Sequence, residues 1–125
     1  MFSVDSNNNI TLTRGDSASL YVDLYDANGD QYILKEGDYI VFSMAADYDT
    51  AAILKKISAS PSITLAPADT QELTIGTYLY DIAIRTSSGD VYTPIGVSKF
   101  IVVSNLDTTA EAVESKALSG IVSGK

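Results

Sequence analysis

Arg14-Gly15-Asp16-Ser17 spells an integrin-binding tetrapeptide. Adhesion needs such a peptide at the tip of an exposed loop on a secreted protein. A tight turn needs the same residues, because glycine supplies backbone freedom and an aspartate side chain bonds the local backbone. The turn is the expected role. Asp26-x-Asn28-x-Asp30 copies the first three ligand positions of a calcium loop. That loop also requires a glycine at its sixth position and a bidentate glutamate at its twelfth. Gln31 and Gly37 stand there instead, so a hairpin turn is expected. Glu36, Asp38, Asp47, Asp49, Asp69 and Glu72 offer enough carboxylates for a glycosidase pair. Such a pair must face each other across a cleft. All six fall in polar turns, and solvated carboxylates are expected. Tyr21, Tyr25 and Tyr39 are the remaining candidates. Exposed, they would form a sugar- or protein-binding platform. Paired across strands, they would simply cover a sheet face. The residues leave both readings open.

Histidine and cysteine are both absent. Without histidine there is no Ser-His-Asp triad, and the commonest general base and transition-metal ligand are missing. Without cysteine there are no disulfides, thiolate nucleophiles or cysteine-based zinc sites. No catalytic, cofactor-binding or metal site is expected, and no enzyme. The chain carries 16 acidic and 8 basic residues, a formal net charge of −8. A phosphate backbone repels such a surface, so nucleic acid is not an expected partner. The apolar residues come in short runs, none near the length of a membrane span. Met1-Phe2-Ser3-Val4-Asp5-Ser6 has neither the basic stretch nor the apolar core of a signal peptide. Neither a membrane nor signal-directed secretion is expected.

The elements that must position these residues are short strands. The length of 125 residues suits one domain with a core of its own. Ser19 to Tyr25 alternates, with Leu20, Val22 and Leu24 on one face and Tyr21, Asp23 and Tyr25 on the other. That is the pattern of a strand with one buried face. Asp26-Ala27-Asn28-Gly29-Asp30 is a hairpin signal, because both central residues of a type I′ turn take positive φ. Gln31 to Leu34 is the expected return strand. Tyr39 to Met44 alternates again, with Ile40, Phe42 and Met44 inward. Ala52 to Ile57 and Ser62 to Leu65 read as further strands. Pro67 to Leu73 reads as one helical turn, Pro67 suiting its start and Asp69 and Glu72 its positive end. In Gly76 to Ile84, Tyr78, Tyr80, Ile82 and Ile84 share a face. Val91 to Pro94 and Lys99 to Val103 follow, with Pro94 at an edge or bulge because it cannot donate to a ladder. Phe2 to Asp5 and Ile10 to Thr13 read as edge pieces.

Strands at this spacing predict an all-β, two-sheet antiparallel β-sandwich spanning residues 1–105. Tyr78-Leu79-Tyr80 adds an immunoglobulin-like feature, a tyrosine two residues before a core position whose hydroxyl bonds back to the preceding corner. Leu20, Val22, Leu24, Ile40, Phe42, Tyr80, Ile82, Ile84, Phe100 and Val102 are the expected core. Tyr78 is expected to be largely buried, bonded to backbone between Ala68 and Thr74. After Asn105 the composition shifts toward alanine and glutamate. Residues 106–125 are expected as a short helical or flexible tail. Val113, Ala117 and Ile121 lie on one helical face there, as docking or oligomerisation contacts.

The order of motifs resembles a family. Ile10-Thr11-Leu12-Thr13-Arg14-Gly15-Asp16-Ser17 opens the domain, and Asp26-Ala27-Asn28-Gly29-Asp30 follows. Then come Tyr39-Ile40-Val41-Phe42-Ser43-Met44, Pro67-Ala68-Asp69-Thr70 and Gly76-Thr77-Tyr78-Leu79-Tyr80-Asp81-Ile82. This is similar to small β-sandwich structural proteins of phages and prophages, in particular the N-terminal domain of the phage baseplate upper protein family. There an I-x-L-x-R-G-D-S/T opening, a D-x-N-G hairpin and an F-x-M strand recur in the same order. The resemblance covers the sandwich and not the tail. It implies a non-enzymatic virion component, in the baseplate, tail fibre base, or head fibre or decoration, assembled in the host cytoplasm. It implies action by self-association as a homo-oligomer and by docking to other virion proteins. The residues alone keep a second reading, a carbohydrate-binding β-sandwich module that uses exposed tyrosines.

Overall fold

The computed structural model describes residues 1–104 and 114–121, with backbone alone at residues 114–116 and 121. Among them are nine strands: β1 (Phe2–Val4), β2 (Ile10–Thr13), β3 (Ala18–Tyr25), β4 (Tyr39–Ala45), β5 (Ala52–Ser58), β6 (Ser62–Leu65), β7 (Gly76–Arg85), β8 (Val91–Val103) and β9 (Glu114–Ile121). One helical turn, α1 (Pro67–Thr70), lies between β6 and β7. The larger sheet runs β1-β2-β8-β7-β4-β5 and the smaller β6-β3-β9. Alternation explains the stacking. Along β3 and β4 every second residue is buried, so each strand turns one apolar row inward.

The expected core forms. Leu20, Val22, Leu24, Ile40, Phe42, Tyr80, Ile82, Ile84, Phe100 and Val102 are all buried, as is Met44. Phe42 stacks on Tyr80 at 5.4 Å between ring centroids, and Phe100 meets both rings edge-on. Edge-on and offset contacts suit the quadrupoles of aromatic rings. Phe2, Ile10, Leu12, Ala18, Ile63, Leu65, Ile95 and Leu118 are buried with them. Tyr78 is half-buried rather than buried, and its hydroxyl donates to the Thr74 carbonyl at 2.6 Å. The bond falls inside the expected segment.

The sandwich is mostly antiparallel, with two parallel pairs. β2 runs alongside β8, from Ile10 opposite Phe100 to Thr13 opposite Val103. β3 runs alongside β9, from Ala18 opposite Glu114 to Tyr25 opposite Ile121. Parallel pairing needs partners far apart in the chain, which sequence alternation does not reveal.

Three expectations change. Gln31 to Leu34 is not a strand, and a single bridge joins Gln31 to Tyr25. The reason lies along the β3 edge. Leu24 accepts the Tyr32 amide there, but the next inward donor, the Val22 amide, bonds Pro61. β6 and the return segment share one edge, and the ladder stops between them. The hairpin itself is not type I′, because Gly29 takes positive φ (+84°) and Asn28 does not. The Asp26 carboxylate accepts the amides of Asn28 and Asp30, at 2.9 and 3.0 Å, which holds a wider loop with one left-handed residue. The same turn recurs at Asp5 to Asn9, with Asn8 left-handed, and at Thr86 to Asp90, with Gly89 left-handed. Finally, Val91 to Val103 is one strand rather than two. Its register against β7 shifts twice, and Pro94 sits in one of the shifts, where no donor is required.

The tail expectation also changes where the chain is described. Glu114–Ile121 is a strand, not a helix. Leu118 is fully buried between exposed Ala117 and Ser119, a period of two. β3 offers this segment a ladder of eight register pairs. Ser119 and Gly120 are poor helix formers, so tertiary pairing overrides the weak helical pattern.

Candidate functional site

Tyr21 and Tyr25 stand on the outer face of β3, with exposed Asp23 between them. Ala117 lies opposite Tyr21 across the β3–β9 ladder, and the backbone of Ile121 lies opposite Tyr25. These candidates gather on the small sheet. Tyr39 belongs to β4 in the other sheet and is half-buried, so it does not join them. Val113 lies outside the described residues.

A concavity lies elsewhere. It has a volume of about 290 Å³, where the end of β4, the β4–β5 loop, the middle of β7 and the β8 bulge converge. Ser43, Asp47, Tyr48, Asp49, Thr50 and Asp81 supply its polar lining, and Met44, Leu79 and Val97 part of its apolar lining. The loop is held by its own hydrogen bonds. The Asp47 carboxylate accepts the Tyr48 amide at 2.8 Å, and the Thr50 hydroxyl donates to the Asp47 carbonyl at 2.7 Å. Asp49 takes positive φ (+58°), which turns the chain back toward β5. Tyr48 is left projecting, 66% exposed. On β7, burial raises the Asp81 carboxyl above its ordinary value, and nearby Lys55 offsets part of that rise. The pocket therefore combines an aromatic face, hydroxyls, and a carboxylate held where ionisation is disfavoured. Perturbed groups in a cleft mark functional sites more often than they mark plain surface. Among the described residues, no cluster of three or more acidic residues could hold a metal ion.

Sequence reasoning missed Tyr48, Asp81 and Val97. The signal for the first was present in Asp47-Tyr48-Asp49, an aromatic flanked by acids in a loop. Asp81 and Val97 had none, because strand register and a β8 bulge bring them there.

The other carboxylates divide. Glu36 and Glu72 are exposed, as expected. Asp38 is not solvated: it is buried and accepts the Lys35 and Ser87 amides at 2.9 and 2.8 Å and the Tyr32 hydroxyl at 3.0 Å. Asp69 accepts the Ala66 amide at 2.7 Å and pairs with Lys56 at 2.9 Å. Both are structural. Arg14-Gly15-Asp16 is a structural turn as well. The Gly15 amide bonds buried Thr70, the Arg14 guanidinium reaches the Leu73 carbonyl, and buried Asp16 pairs with the N-terminal ammonium at 2.7 Å. An adhesive tripeptide would have to present that aspartate outward.

No helix among the described residues is long and apolar enough to cross a membrane. No family model, curated protein or solved structure matches this chain.

Proposed function

We propose that this chain is a non-catalytic carbohydrate-binding module on an immunoglobulin-like β-sandwich. The observation that carries the reading is the β4–β5 pocket, where projecting Tyr48 stands with Asp47, Asp49 and Asp81. A sugar ring offers an apolar face to an aromatic side chain and hydroxyls to carboxylates. The pocket is just below the usual range for ligand sites, about 300–1,000 Å³. It suits a chain end or one or two sugar rings rather than a long polymer. Two features support the immunoglobulin-like topology. The Tyr78–Thr74 bond has the form of a tyrosine corner. The neighbours β4, β7 and β8 follow the C-F-G order of that fold, with β3 and β6 in the place of its B and E strands. A glycan array followed by calorimetry tests the function. The intact protein binds a glycan, and Tyr48→Ala weakens binding at least tenfold while leaving the melting temperature unchanged. Silence across the array, or unchanged binding by Tyr48→Ala, sinks the reading.

A second reading keeps the phage resemblance, in which the chain is a virion component acting by self-association. It draws on the outer face of the small sheet, where Tyr21, Tyr25 and Ala117 are exposed together. Aromatic residues are enriched at protein interfaces. Light scattering of the purified chain separates the readings, since this one requires an oligomer and the sugar site does not.

A further inference from the structure

We propose that β9 is an exchangeable strand, and that Glu114–Ile121 of one copy seats on β3 of a second copy. The inference goes beyond the sugar site, which lies at the β4–β5 loop. It starts from a repeated path. β2 leaves the larger sheet at Thr13, crosses through residues 14–17 and enters β3 at Ala18. β8 lies parallel to β2 and ends at Val103, opposite Thr13. β9 lies parallel to β3 and starts at Glu114, opposite Ala18. Both strand pairs are therefore parallel, and in each the chain passes from the larger sheet to the smaller. The first crossing uses residues 14–17 and the second has residues 104–113 for it. A chain advances at most about 3.3–3.6 Å per residue. The second connection has more residues than the first for the same passage between sheets, so it has length to spare.

The seat is specific. Leu118 is fully buried among the core residues. Two residues on, a Cβ at Gly120 would lie 2.2 Å from the Pro94 carbonyl oxygen, so only glycine fits beside β8 there. A strand that fits must carry a large aliphatic residue and then glycine at that spacing. This chain's own Leu118-Ser119-Gly120 meets the requirement, and a second copy carries the same segment. Among the side chains described on β9, Leu118 alone is buried. When β9 leaves, β3 presents an unpaired edge from Ala18 to Tyr25, a template for strand addition. Exchange reproduces every contact of the closed form, so linker length and protein concentration set the balance between the two. Crowding many copies together favours exchange.

The chain has no cysteine, which makes the test clean. Asp23 and Ser119 are exposed and directly opposite in the β3–β9 register. Opposed strand residues meet the spacing a disulfide needs. Full-length Asp23→Cys and Ser119→Cys chains are mixed at high concentration, oxidised and digested. The expected product is a two-chain species linked through positions 23 and 119. Adding Gly120→Val to the Ser119→Cys chain should abolish that link while circular dichroism stays native. The doubly substituted chain, Asp23→Cys with Ser119→Cys, should close within itself when dilute. If the mixture gives only 23–23 or 119–119 links while the double variant closes internally, β9 never exchanges and the proposal falls. Failure of the double variant to close removes the seat itself and overturns it equally. Neither outcome touches Tyr48, so loss of this inference is distinguishable from loss of the sugar site.

Discussion

The Asp38 carboxylate accepts the Ser87 amide at 2.8 Å, which ties the turn before β4 to the β7–β8 hairpin. The same group holds the Lys35 amide and the Tyr32 hydroxyl. Gly37 is left-handed (φ +89°) and passes so close that a Cβ there would lie 2.9 Å from the Ser87 Cβ. One buried anion thus ties the β3–β4 connection to the β7–β8 turn, just beyond the end of the β4–β7 ladder. Burial alone would raise its pKa, but the Lys35, Ser87 and Tyr32 hydrogen bonds outweigh it and hold the carboxyl below its ordinary value.

Asp38→Asn should therefore destabilise the fold at neutral pH by about 1.5–3 kcal/mol, the usual loss for hydrogen bonds to a charged group. The folded carboxyl has the lower pKa, so its contribution is full above the ordinary value of 3.8 and fades as pH falls through the folded value. Urea melts of the two proteins should differ clearly at neutral pH and converge in acid. A constant difference would show that shape rather than charge is at work.

The aromatic centre and the Tyr78 hydroxyl separate in size. Phe42→Ala removes a ring packed between Tyr80 and Phe100 and should cost about 3–5 kcal/mol. Tyr78→Phe removes only the hydroxyl that reaches Thr74 and should cost about 1 kcal/mol. Asp23→Ala, on the outer face of β3, should stay within about 0.5 kcal/mol. Thermal melts that rank the three otherwise would overturn this assignment of strand faces.

Asn8 holds the left-handed position that Gly29 and Gly89 hold in the two matching turns. Its carbonyl also accepts the Tyr80 hydroxyl, which fixes the β1–β2 hairpin to the core. Asn8→Ala should destabilise by roughly 1 kcal/mol, because a β-carbon disfavours positive φ. Asn8→Gly relieves that conformation but loses the side-chain bond to the Ser119 carbonyl, and should be near neutral. Equal stability of the two variants would contradict the turn assignment.

What the sequence disclosed follows from which signals are local. Alternation in β3, β4 and β7 was readable because each strand buries one face, as Leu20, Val22 and Leu24 do in step along β3. The Tyr78 corner was readable because its partner Thr74 is four residues away. Asp38 was not, since the Ser87 amide that rewards its burial lies in another hairpin. β9 was not, since its pattern is weak alone and its ladder belongs to β3. The pocket was half legible: the Asp47-Tyr48-Asp49 loop stands in the sequence, but only the register of β4, β7 and β8 places Asp81 and Val97 beside it.

Asp81 carries the last prediction, and its sign is opposite to that of Asp38. Burial raises its pKa in the folded chain, so the folded state prefers the neutral acid. Stability is then greatest below the ordinary value of 3.8 and declines as pH rises through that value to the folded one. At neutral pH the charged group is a liability that Lys55 offsets only in part. Asp81→Asn removes the charge at nearly constant volume and should raise the melting temperature at neutral pH, with no gain in acid. The same substitution takes away a carboxylate acceptor in the pocket, and should weaken glycan binding by several-fold or more. Stability gained while binding is lost is the pattern of a residue kept for its ligand. A variant that is both more stable and undiminished in binding would place Asp81 outside the site and leave Tyr48 with the loop acids alone.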